Sequence, residues 1–187
     1  MLKKYVNQLM RQASNDVVKQ TKLGILGVAF CKGQTKKGVD KAPDLLRTVG
    51  LVERLRTASN GNLQIKDYGN LEYQPDPNND KYTNMKNYGE FMGCNKALIA
   101  KIQEILKVND QVLTIGGDHA IGFGSVAGNL QHTPNLSLVW IDAHADINLH
   151  STSGSGNIHG MPVSFLLKEL RIYWENAQLD KFAPNCC

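Results

Sequence analysis

Two short apolar runs in this chain stop abruptly at clusters of glycine, aspartate and histidine. Val112-Leu113-Thr114-Ile115 runs straight into Gly116-Gly117-Asp118-His119, and Leu136-Ser137-Leu138-Val139-Trp140-Ile141 runs into Asp142-Ala143-His144-Ala145-Asp146. Such bounded runs read as strands buried on both faces, the kind that parallel sheets use. Both would carry polar chemistry at their carboxyl ends, the edge at which open parallel α/β sheets bind ligands.

The rest of the chain fits that scheme. Leu23-Gly24-Ile25-Leu26-Gly27-Val28-Ala29-Phe30 is a first buried strand that enters a Lys- and Gly-containing loop. Pro43 and Asp44 then open a helical stretch with Leu45, Leu46, Val49, Val52 and Leu55 at three- and four-residue spacing, which closes near Ser59-Asn60-Gly61. Leu63 to Tyr68 alternates as a second, partly exposed strand, and Pro75 to Asp80 is a polar turn cluster. Tyr88, Phe91, Met92, Leu98, Ile99, Ile102, Ile105 and Leu106 trace one long helical stripe. A Ser/Gly-rich loop from Ser151 to Gly160 precedes a further helical run through Val163, Phe165, Leu166, Leu167 and Leu170. At 187 residues with 42% hydrophobic content, the chain is long enough for one core and is expected to form one α/β or α+β domain, with the strand-loop-helix order favouring α/β.

Composition excludes several function classes. The net charge of +4 is dispersed, with basic pairs such as Lys3-Lys4 and Lys36-Lys37 and no interleaved aromatic side chains, so nucleic acid is not an expected partner. No apolar run reaches the roughly 20 residues of a membrane-spanning helix, and a membrane partner is not expected either. Cys31, Cys94, Cys186 and Cys187 lack both Cys-x-x-Cys spacing and the density of a disulfide scaffold, which favours reduced thiols and an intracellular protein.

Asp142, His144 and Asp146 are spaced by two, so a strand continuing through them would project all three side chains to one side. Two carboxylates held so close favour a cation between them, and oxygen and nitrogen donors without thiolate suit Mn, Mg or Zn. A single Asp or His at a strand end is ordinarily a turn or cap residue. Three in register, with His119 ending the other strand, point instead to a divalent metal site. Gly116-Gly117 lets the backbone turn and delivers His119 to the same edge. A phosphate cradle lacks support, because no Gly-Lys-Ser/Thr follows and the glycines of Gly122 to Gly128 miss the dinucleotide spacing.

Gly116-Gly117-Asp118-His119, Asp142-Ala143-His144-Ala145-Asp146-Ile147-Asn148 and Ser155-Gly156-Asn157-Ile158-His159-Gly160-Met161-Pro162-Val163-Ser164-Phe165 resemble three consecutive signatures of the arginases, in the family's order and spacing. Similarity extends upstream to Gly27-Val28-Ala29-Phe30-Cys31-Lys32-Gly33-Gln34 and covers nearly everything from about Thr21 to Arg171. The resemblance implies a three-layer, parallel-sheet arginase-like fold and a manganese-dependent ureohydrolase that converts L-arginine to L-ornithine and urea. Carried over by position, it implies that His119, Asp142 and Asp146 bind one manganese while Asp142 and His144 bind the other, Asp142 bridging. Two ions lower the pKa of a shared water and fix it for attack on a cationic, poorly electrophilic carbon. His159 matches the family's proton-shuttling histidine, a role that suits a pKa near neutrality.

Asn148, Ser155 and Asn157 match the positions that hold the substrate α-carboxylate, where neutral donors recognise an anion without repelling a cationic substrate. Such a loop separates arginase from agmatinase, whose substrate has no carboxylate. Singly, Ser and Asn in a Gly-rich loop are turn formers. Ala120 departs from the family's usual Ser and removes a hydroxyl beside a ligand histidine. Asp118 reads as a loop anchor, and His132 and His150 read as surface-loop residues.

Beyond Asp146 the acidic side chains are Glu169, Glu175 and Asp180, and none forms the Asp-x-Asp motif with which arginases complete the metal pair. The ligand set is therefore expected to be incomplete. The resemblance also implies a sheet of order 2-1-3-8-7-4-5-6, of which this chain supplies the first four strands and their helices. Two strands would be missing between the third and fourth, leaving unpaired edges and a marginally stable or aggregation-prone chain. The expected division is residues 1–20, an N-terminal extension with weak targeting character, and residues 21–187, a truncated arginase-like domain. The family function is that of a hydrolase, but this chain is expected to be inactive. The alternatives are a catalytically dead short isoform or fragment acting through association with other subunits, and an agmatinase-like ureohydrolase. Family arginases commonly form homotrimers, and the expected compartment is cytoplasmic or mitochondrial.

Overall fold

The computed structural model describes residues 20–77, 82, 84–174 and 179. The N-terminal extension, Gln20 apart, lies outside the described residues, as do Glu175, Asp180, Cys186 and Cys187. Strand β1 (Thr21–Val28) is buried from Leu23 onward. It pairs in parallel with β2 (Leu63–Asn70) on one side and β3 (Gln111–Gly116) on the other, giving the order β2-β1-β3. Parallel neighbours require crossovers. Helices α1 (Ala42–Thr48) and α2 (Leu51–Ala58) connect β1 to β2, α3 (Tyr88–Leu106) connects β2 to β3, and α4 (Gly122–His132) follows β3.

The alternation of β1 divides the core. Leu23 and Ile25 join Ile115 against Leu51, Val52 and Leu55 of α2. Leu26 and Val28 enter the larger cluster with Phe91, Leu98 and Ile102 of α3 and Phe123 of α4. Ile25 and Leu26, one on each face, are both 0% exposed, so each side chain contributes about 1.5–3 kcal/mol of burial. That two-sided burial is why β1 is an almost unbroken apolar run, and it makes three layers with helices on both faces of a parallel sheet. The long stripe from Tyr88 to Leu106 is buried as its periodicity indicated. No helix among the described residues is long and apolar enough to cross a membrane.

Four expectations need correction. The stretch after Pro43 is two helices rather than one, because Gly50 adopts φ 85°, a left-handed conformation that ends α1 while its carbonyl starts α2 by accepting from Arg54 N–H at 3.0 Å. The run after Met161 forms 3-10 turns, Pro162–Phe165 and Lys168–Trp174. Ser164 Oγ donates to the Met161 carbonyl at 2.7 Å, which favours the tighter turn. His150 is not a bare loop residue: its ring lies 4.6 Å from Tyr82 and 5.5 Å from Trp174, whereas His132 is exposed at the end of α4.

The fourth correction concerns Leu136–Ile141. The segment is outside any strand, and Val139 and Ile141 are 80% and 92% exposed. A strand exists only with a partner whose backbone groups it can bond. Among the described residues no strand lies beside this segment, so its β-favouring composition has nothing to pair with.

Candidate metal centre

At the carboxyl end of β3 the backbone keeps bonding to β1: Gly117 N–H donates to Val28 O at 2.9 Å and Asp118 N–H to Phe30 O at 2.8 Å. Asp118 then caps the 3-10 turn His119–Ile121. Its Oδ1 accepts from Ala120 N–H at 3.0 Å and its Oδ2 from Gly33 N–H at 2.8 Å. Burial pushes this carboxyl upward and the two backbone donors oppose the shift. With both oxygens engaged by backbone, Asp118 anchors the loop after β1 to the loop after β3 and presents His119 at the first position of the turn.

His119 Nδ1 stands 2.9 Å from Asp142 Oδ2 and 2.9 Å from Asp146 Oδ2. The two carboxylates reach this nitrogen by a bend rather than by strand alternation. His144 N–H donates to Asp142 Oδ1 at 2.9 Å, a local turn made by the Asp side chain. Asp146 adopts φ 51°, in the left-handed region. His144 consequently does not share a face with the other two. Its side chain is 82% exposed, with Nδ1 3.5 Å from Asp142 Oδ1.

The donor atoms of His119, Asp142 and Asp146 lie within 4.8 Å of one another. Ligands on one ion with bonds of about 2.1 Å lie at most about 4.2 Å apart, so small side-chain rotations suffice. Asp146 Oδ2 is buried and, among the described residues, has no hydrogen-bond partner. Its approach to Nδ1 is short but not aligned as a bond. One imidazole nitrogen also cannot serve two carboxylates fully, since it carries at most one proton. An orphaned buried oxygen in an all-oxygen-and-nitrogen donor set is what a hard or borderline divalent ion would satisfy. Burial raises the Asp146 carboxyl, while the His144 N–H bond lowers that of Asp142.

Above His119, the Trp140 indole stacks on the imidazole with centroids 4.6 Å apart and planes at 17°. A cleft of about 540 Å³ opens beside them, lined by Thr114, Gly116, His119, Ser125, Ile141 and Asp142 among others. His159 occupies the 3-10 turn Ile158–Gly160, which packs against the His119 turn. Its backbone N–H donates to Gly33 O at 3.0 Å and its ring Nδ1 lies 3.0 Å from the same oxygen. Asn148 N–H donates to Gly160 O at 3.1 Å, and Asn157 N–H donates to Ser155 Oγ at 3.2 Å. The loop that holds these residues is pinned by Asn84, whose Nδ2 donates to His150 O at 3.0 Å and Ser153 O at 2.7 Å.

The structure thus gathers His119, Asp142 and Asp146, sets His159 and the Asn148, Ser155 and Asn157 loop nearby, and leaves His144 pointing outward. Trp140, Gly33 and Asn84 were missed by sequence reasoning. For Trp140 a signal existed, since it is an aromatic side chain two residues before the candidate ligand Asp142. For Gly33 and Asn84, which act through contacts distant in sequence, there was none.

The Arginase family model matches residues 21–179. The mitochondrial arginase-2 of Oryctolagus cuniculus is 39% identical over 169 residues, covering 89% of this chain and 47% of that protein. Among solved structures, the arginase of Bacillus subtilis matches with a TM-score of 0.70 and 29% identity over 89% of this chain and 53% of that one. The arginase of Entamoeba histolytica, solved with L-ornithine, matches with a TM-score of 0.67 and 32% identity over 80% of this chain and 51% of that one. The chain spans about half the length of the curated relatives it matches.

Proposed function

This chain belongs to the arginase family, and from that footing we propose that His119, Asp142 and Asp146 form part of a manganese site serving hydrolysis of L-arginine to L-ornithine and urea. The observation that carries the reading is the convergence of three donors on one point, with Asp146 Oδ2 buried and unbonded there. Asp142 and His144 are the residues for a second ion, for which His144 would have to rotate inward from its exposed position. A bound pair of ions would supply an acidified, positioned water for attack on the guanidinium carbon.

The chain's own side chains do the rest. His159 directs Nδ1 at the Gly33 carbonyl, so that nitrogen carries the proton and Nε2 is left to accept or release one. Asn148, Ser155 and Asn157 offer neutral donors to the α-carboxylate. Beyond Asp146 the described residues add Glu169 as an acidic side chain, and we read His119, Asp142, His144 and Asp146 as part of a two-metal ligand set.

Manganese titration by calorimetry, run with a urea assay on L-arginine, tests this. The expected result for the chain alone is at most one weakly bound ion and no urea above background. Two tightly bound ions with sustained turnover would overturn the partial-site reading, and no binding at all would overturn the metal reading.

A second reading, association with other subunits, is favoured by the exposure of Val139 and Ile141 beside the cleft. Co-purification with a full-length family arginase, lost on Val139→Lys, is the result it requires.

A further inference from the structure

We propose that Trp140 is a positioning residue for His119, a wall that holds the imidazole in the orientation offering Nδ1 to a divalent ion; this rests on the metal reading above. Three observations carry it. The first is the stack itself, 4.6 Å between centroids with the rings only 17° from parallel, a favourable arrangement for two flat rings.

The second is the slot behind the indole. A Cβ on Gly122 would stand 2.5 Å from Trp140 Cη2, so the missing side chain at the first residue of α4 is what lets the ring lie flat over His119. The third is that Trp140 Nε1 is buried and, among the described residues, has no hydrogen-bond partner. A buried indole N–H ordinarily finds an acceptor. Here the position of the ring is fixed by its faces and not by its polar edge.

The need for such a wall follows from the side chain it contacts. The second torsion of histidine is broad, so the ring can swing about it and tilt Nδ1 away from the two carboxylates at little energetic cost. Asp142 and Asp146 meet only that one edge. A flat neighbour along the ring face confines the imidazole to a single plane, and an indole also attracts the partial positive charge of a coordinated imidazole.

Manganese titrations of the 187-residue chain and its variants, followed by calorimetry and by tryptophan emission, test the proposal. Trp174, the other tryptophan, is buried against Phe165. Paramagnetic manganese at His119 is expected to quench emission in the unsubstituted chain with the calorimetric midpoint, and to leave the emission of Trp140→Phe nearly unchanged. Trp140→Ala is expected to weaken manganese binding about 10-fold, the scale seen when residues that orient a metal ligand are removed. Trp140→Phe, which keeps a flat face, should restore most of it.

Gly122→Ala displaces the indole without removing it and should weaken binding in the same direction, which keeps the test valid if Trp140→Ala does not fold. Equal affinity in Trp140→Ala, Gly122→Ala and the unsubstituted chain would overturn the positioning role while leaving the metal site standing. Binding that is undetectable in the unsubstituted chain, or unchanged in His119→Ala, would overturn the metal reading itself.

Discussion

At the residue scale, His119, Asp142 and Asp146 were legible because their chemistry is rare at strand ends and their spacing specific. How they converge was not, since reading Asp142–Asp146 as a continuing strand placed His144 with them and missed the left-handed turn at Asp146. That turn chooses the mutation that tests the site. Asn tolerates the left-handed region as Asp does, so Asp146→Asn changes charge with little backbone strain and is expected to abolish detectable manganese binding in calorimetry. Asp118 plays a different part. Asp118→Ala would leave the N–H groups of Gly33 and Ala120 without their acceptor, and is expected to lower stability by about 2–4 kcal/mol in urea unfolding. Cys94 is buried with its thiol pushed up to about 12, whereas Cys31 is partly exposed. Mass mapping after brief alkylation at neutral pH should find Cys31 modified and Cys94 protected until the chain unfolds.

At the element scale, β1 and α3 were readable because each buries an uninterrupted or strictly periodic apolar set, whereas β3 was readable from its apolar run although only Ile115 of it is buried. The split between α1 and α2 was hidden, since the apolar spacing runs on across Gly50. What fixes α1 is an arginine clamp that periodicity does not encode. Arg47 donates Nε and Nη2 to the two Asp67 oxygens at 2.8 and 2.9 Å, Nη2 to Gly69 O at 2.9 Å and Nη1 to Asn70 Oδ1 at 2.6 Å. It thereby ties α1 to the end of β2. The Arg47 bond is the largest cause holding the Asp67 carboxyl below its ordinary 3.8. A carboxyl depressed in the folded state binds fewer protons than in the unfolded chain, so its stabilisation is full above that ordinary value and is lost as pH falls through the folded one. Arg47→Ala is expected to lose about 1–3 kcal/mol near neutral pH. The gap from the unsubstituted chain should narrow in denaturant titrations as pH falls below the ordinary value of Asp67.

At the scale of the whole molecule, the α/β class and both helical layers followed from sequence, whereas Leu136–Ile141 did not become the strand its composition favours. Strand formation is a property of pairs, and no single segment encodes its partner. The exposed Val139 and Ile141 together with the outer edge of β3 form a surface prone to association. Light scattering of the concentrated chain should therefore fall on Val139→Lys with Ile141→Lys, and a monodisperse, cooperative, high-temperature unfolding of the unsubstituted chain would contradict this. The same segment leads directly into Asp142. His119 is rooted in the β3–α4 junction inside the packed core, and Asp142 and Asp146 ride on the loop that the sheet does not hold. An ion bound among them would be a rivet between the β3–α4 junction and the segment that lies outside the sheet. It would stabilise the folded state by about 2.7 kcal/mol at a free concentration one hundred times its dissociation constant. Manganese should raise the unfolding temperature of this protein even where it drives no turnover, and Asp146→Asn should erase that rise.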